Sequence, residues 1–164
     1  MDDASLTPTG RHHRVCHRCD ICIVGAVLPV HASTIRLFLH IFAATVWVGG
    51  QVVLAAIVPL ARRLGGRDAT RAIARRFQIV AWPAFAVLLV TGTWNLFAVH
   101  VGDQSGRYLT TLIGKLLLVA ASGAGALGHV LVAPRRPAVG GILAAGSLLS
   151  AVAALFLGVL LRSG

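Results

Sequence analysis

Residues 108–133 read YLTTLIGKLLLVAASGAGALGHVLVA, an apolar run broken by one charge, Lys115, which is also the only lysine of the chain. At 1.5 Å per residue, a helix of this length crosses the ~30 Å hydrocarbon core of a bilayer. A lysine inside such a helix costs roughly 2.5–3.5 kcal/mol on insertion scales. The stretch therefore predicts a membrane helix, and its lysine predicts a functional site with a partner on another helix.

Composition agrees. Of 164 residues, 57% are hydrophobic and 12% charged, against about 25% charged in a soluble domain. One water-soluble core cannot hide that much apolar surface. The chain has five acidic residues, all aspartate, and a formal charge of +10 carried almost wholly by arginine. The arginines fall in the breaks between apolar runs. Topology and anionic headgroups account for them, and nucleic acid is not an expected partner. The apolar runs cover 35–60, 79–99, 109–133 and 138–161, each long enough to span as a helix and too uniform for barrel strands. The expected fold is all-α, a four-helix transmembrane bundle at residues 34–164 behind a polar, Cys/His-rich tail at residues 1–33. Pro59 should close the first span, Pro83 should sit in the first turns of the second, and Pro134 and Pro137 should bracket the last loop.

Arginine also sets orientation. Arg62, Arg63, Arg67, Arg71, Arg75 and Arg76 fill the first expected loop (61–78), and Arg135 and Arg136 the third. The second holds only Arg107, offset by Asp103. Positive-inside bias places loops one and three in the cytoplasm and both termini outside, although the tail carries Arg11, Arg14 and Arg18. Residues 68–76 are expected as a short basic helix on the headgroups.

The tail concentrates His12, His13, Cys16, His17, Cys19 and Cys22. Its two Cys-x-x-Cys steps have metal-ligand spacing, and thiolates with imidazole suit Cu(I) or zinc. Against this, there is no matching second half-site, and thiols outside the membrane can simply oxidise. A start-site extension is a further reading. Residues 21–30 form a short apolar run with Pro29 in it, read as lead-in to the first span.

Depth selects a partner for Lys115. His40 and Lys115 both fall roughly 8–9 Å below the outer boundary when each span is counted from its start. Asn95, near the outer end of the second span, shares that layer. Phase agrees: His40, Ala44, Trp47 and Gln51 share one helical face, as do Thr111, Lys115, Ser122, Gly125 and His129, and Thr91 with Asn95. Such stripes face the bundle interior, because lipid cannot satisfy polar groups. Ser122, Ser147 and Ser150 read as packing devices. Trp47 reads as core or as the wall of a cofactor site, His100 as interfacial, and Lys115 also as a snorkelling lysine.

Two chemistries fit the layer. A bis-histidine haem fails, since His40 and His129 are separated by most of the membrane, but a haem b with His40 as one ligand and Lys115 on a propionate is open. Copper would lean on histidine, with His31, His40 and His100 converging at the outer mouth, because Met1 is the only methionine.

The stretch from Leu37 through His40 and Trp47 to Gly49-Gly50 resembles the first-span signature of CopD-type copper-resistance membrane proteins. Arg76-Phe77-Gln78 through Thr91-Gly92, and Tyr108 through Gly114-Lys115-Leu116-Leu117, resemble their second and third spans. The similarity covers about residues 36–161. It implies copper handling at the outer face of the cytoplasmic membrane beside a periplasmic or extracellular copper-binding protein. HemJ-type protoporphyrinogen oxidases are similar over the first- and third-span motifs. That likeness implies haem b and porphyrinogen oxidation, with His40 and Lys115 as the working pair. A third reading makes the chain a structural subunit of a larger membrane complex.

Overall fold

The structure, a computed structural model, describes residues 31–99 and 104–163. They form three helices: α1 (Ala32–Ala98), α2 (Gly106–Val132) and α3 (Pro137–Ser163). Each is long and apolar enough to cross a membrane. The all-α expectation stands. The four-helix bundle does not, because the first two expected spans belong to one 67-residue helical element.

The 61–78 loop was expected from polarity, but polarity opposes membrane burial rather than helix formation. Ala, Leu and Arg are good helix formers. Helix therefore continues through the arginines, and the expected separate basic helix at 68–76 is part of α1. Pro59 and Pro83 lie inside α1, so Pro59 does not close a span.

A single residue breaks α1. Gly66 has φ 65° and ψ −154°, a region open in practice only to glycine. Its neighbour Gly65 has no room for a side chain, since a Cβ there would meet Ala69 Cβ at 2.6 Å. The element thus folds back into two antiparallel arms. Going inward from the ends, His40 meets Thr91, Trp47 meets Phe85, and Gly50 lies under the Phe77 ring. These pairs converge on Gly65-Gly66.

Helices α2 and α3 are antiparallel and joined by a tight turn. The Arg135 and Arg136 amides both donate to the Val132 carbonyl, at 3.1 and 2.8 Å. Ser105 caps α2, its hydroxyl accepting from the Tyr108 amide at 3.3 Å, which satisfies one of the free amides of the first turn.

The core where these elements meet is small. Trp47 packs in it with Ala81 and Ala151, flanked by Trp82, Phe85 and Ala126. The Trp47 and Phe85 rings stack with centroids 4.3 Å apart. Meanwhile Phe97 is 84% and Ile142 72% exposed. Large apolar side chains turned outward along all three helices make a surface suited to lipid rather than water.

Candidate functional site

Helix α2 carries Lys115, Ser122 and His129 seven residues apart, hence on one face at steps of about 10 Å. All three turn toward α3. A Cβ at Gly158 would lie 3.0 Å from Lys115 Nζ. Ser122 and Ser147 hydroxyls are 3.3 Å apart. His129 Nδ1–H donates to the Gly140 carbonyl at 2.7 Å.

The middle step is a buried network. Trp47 Nε1–H donates to Ser122 Oγ at 3.1 Å, and Ser147 Oγ–H donates to the Ser122 carbonyl at 2.7 Å. Gln51 Oε1 lies 3.2 Å from Ser147 Oγ, while Gln51 Nε2 is buried without a partner. Trp47 is 3% exposed. It is a core residue that ties α1 to α2.

The surroundings of His40 and Lys115 are different. His40 Nδ1 lies 2.9 Å from Thr91 Oγ1. The single hydroxyl hydrogen of Thr91 is committed to the Val87 carbonyl at 2.7 Å, a bond across one helical turn. Thr91 can then only accept, so His40 Nδ1 carries the proton and donates. That fixes the tautomer and leaves Nε2 as a bare acceptor. Gly92 makes room for the ring, since a Cβ there would lie 3.2 Å from His40 Cε1.

Lys115 lies within electrostatic range of His40. Both side chains are partly exposed. One turn outward, the Arg36 guanidinium sits 5.8 Å from the Trp94 ring centroid, with Nε buried and unpartnered. Among the described residues Asp68 is the one acidic side chain; it is exposed and lies 3.7 Å from Arg71 beside the Gly66 reversal. The His40–Lys115 layer is therefore cationic, with no carboxylate beside it among the described residues.

The other expected residues fall as follows. Asn95 lies one turn beyond Thr91 and makes no side-chain hydrogen bond to His40 or Lys115. His31 is exposed ahead of α1. His100, Cys16, Cys19 and Cys22 lie outside the described residues. Thr91 and Arg36 were not singled out from sequence as site residues. Thr91 stands in the same stripe as Asn95, so its spacing carried the signal; Arg36 stands four residues before His40.

The metal readings need correction. Among the described residues no group of three His, Cys, Asp or Glu side chains could hold a metal ion. The copper site expected at His31, His40 and His100 includes His100, which lies outside the described residues. Nothing among the described residues supports haem b at His40. Two surface cavities lie elsewhere, one lined by Leu89, Val90, Thr93, Trp94 and Phe97, the other by Leu131, Val132, Arg135 and Arg136. No protein-family model matches the chain, nor does any curated protein or solved structure.

Proposed function

We propose that the chain is a polytopic membrane protein that binds the anionic group of a lipid-soluble ligand at His40 and Lys115, in the outer half of the membrane. The supporting observation is the charge balance of that layer. Lys115 stands among apolar helices against Gly158, and no acidic side chain among the described residues accompanies it. An intramembrane cation is stabilised by a counter-charge, and an anionic ligand would supply one. His40 Nε2 supplies the complementary acceptor, so a weak acid can place its anion on Lys115 and a hydrogen on the imidazole.

Of the two resemblances, this favours the HemJ-type one, which falls on the same pair. A porphyrinogen, an apolar ring system bearing carboxylates, belongs to the proposed ligand class. The arginines of residues 62–76 and 135–136 support an orientation with that end in the cytoplasm and both termini outside.

The test compares the purified protein with Lys115→Met in nanodiscs. Oleate is the charged probe and methyl oleate the uncharged one. Oleate should bind at least tenfold more weakly to the variant, with methyl oleate unchanged. Mass spectrometry of extracts should find an acidic species with the wild-type protein only. Equal oleate binding by both proteins defeats the proposal and leaves the chain as a packing subunit of a larger membrane complex.

A further inference from the structure

We propose that the turn between α2 and α3 holds an anionic phospholipid, its phosphodiester between Arg135 and Arg136 and its acyl chain along Leu131 and Val132. These four residues line one surface cavity of about 210 Å³. The inference is independent of the His40–Lys115 site, which lies toward the opposite end of α2.

The chemistry of the notch has two halves. Arg135 and Arg136 are exposed, and among the described residues neither forms an ion pair. Two guanidiniums on adjacent residues present a planar set of donors suited to phosphate oxygens. Leu131, 62% exposed, gives an aliphatic wall on the membrane side. Inorganic phosphate would use the first half only, whereas a phospholipid uses both.

The backbone of the notch is held in place, so binding has only side chains to order. The amides of both arginines are pinned to the Val132 carbonyl. The Gly140 amide donates to the Arg136 carbonyl at 2.9 Å, and His129 Nδ1–H holds the Gly140 carbonyl at 2.7 Å. Pro137 starts α3 at the position where a missing amide costs nothing. Charge around the notch has the right sign for long-range attraction. The Gly66 reversal, at the same end of the helices, carries six exposed arginines, and Asp68 is the only described acid there.

Six other arginines at the same end make diffuse surface attraction the competing explanation. The experiment therefore compares two double variants with equal loss of charge: Arg135→Gln with Arg136→Gln, and Arg75→Gln with Arg76→Gln. Delipidated protein is offered phosphatidylglycerol or phosphatidylcholine in mixed micelles, and retained lipid is counted by native mass spectrometry. The wild-type protein and the 75/76 variant should retain one phosphatidylglycerol with about tenfold preference. The 135/136 variant should lose that preference while melting at the wild-type temperature without lipid. Equal losses in the two variants, or no loss in the 135/136 variant, overturn the proposal. So does displacement of the lipid by millimolar inorganic phosphate. If the 135/136 variant melts early, Leu131→Gln replaces it as the arm that must lower retention.

Discussion

Replacing Thr91 by Val tests the link on which the state of His40 depends. Valine keeps the shape of threonine and removes only the hydroxyl, which is 4% exposed at residue level. Three hydrogen-bond contacts go with it, the longest a 3.3 Å approach to the Leu88 carbonyl. The one to the Val87 carbonyl at 2.7 Å is dispensable, because that carbonyl still accepts its helical amide. The one from His40 Nδ1–H at 2.9 Å is not, because its loss leaves the ring only the neighbouring Leu88 carbonyl as an acceptor. Interhelical hydrogen bonds in membranes average about 0.6 kcal/mol and reach about 1.7, while an orphaned buried donor costs about 1–3 kcal/mol. Since His40 is only partly buried, we expect about 1 kcal/mol, roughly a fivefold change in the folding equilibrium. Thr91→Ser keeps the acceptor and should cost less, although it removes a methyl group that Val retains. Denaturation in mixed micelles measures the order, and a cycle with His40→Phe isolates the pair. Nitrogen NMR of labelled histidine reads the tautomer directly: Nδ1–H in the wild-type protein, a mixture in Thr91→Val. A Val variant as stable as wild type with zero coupling, or a wild-type His40 protonated at Nε2, refutes the assignment.

Other substitutions separate backbone, packing and chemistry. Gly66→Ala should destabilise by about 1–3 kcal/mol through conformation alone, since a Cβ there has nothing within 4 Å; thermal melting reads the loss. Gly140→Ala and Gly141→Ala should differ in sign by the same assay. A Cβ on Gly140 meets Ala133 Cβ at 2.5 Å and Cα at 2.7 Å, whereas Gly141 is open, so the first loses about 1–3 kcal/mol and the second is neutral or gains helix propensity. Gln51→Met should hold or raise stability by about 1 kcal/mol, because it removes the unpartnered amide nitrogen; a clear loss in denaturation would show that the amide has a partner. Gly158→Ala should melt within about 1 kcal/mol of wild type yet weaken oleate binding several-fold, since its Cβ meets only the flexible end of Lys115.

What the sequence made legible follows from lipid as a solvent. Lipid satisfies no polar group, so Lys115, Ser122 and His129 had to share a face and turn inward, and spacing alone reveals that face. The same logic failed at residues 61–78, because a hydropathy drop marks where the membrane ends, not where a helix ends. The actual break is one backbone angle at Gly66, visible in sequence only as Gly-Gly. Asn95 shares the stripe of Thr91, and it is Thr91, one turn earlier, that meets His40. Depth along each helix can be counted from sequence, but the rotation that brings two helices into register depends on packing, here of Trp47 on Phe85 and of Phe77 over Gly50.

The three polar steps on α2 are not equivalent, and their inequality argues for where function lies. At the inner step His129 is satisfied by a backbone carbonyl, Gly140 at 2.7 Å. At the middle step Ser122 is satisfied by Trp47 and Ser147. Each of these polar groups exists with a partner from another element, which is how a bundle joins its helices without a hydrophobic force between them. Lys115 breaks the pattern. It is the costliest of the three in lipid, yet α3 meets it with Gly158, a residue that offers space and no side-chain acceptor. A purely structural lysine would need an acceptor there, or a smaller and less expensive residue in its place. Space beside a cation, a bare imidazole nitrogen in the same layer and an unpartnered Arg36 Nε one turn outward are what a site needs before its anion arrives. They are also what separates this layer from the two below it, which need nothing further.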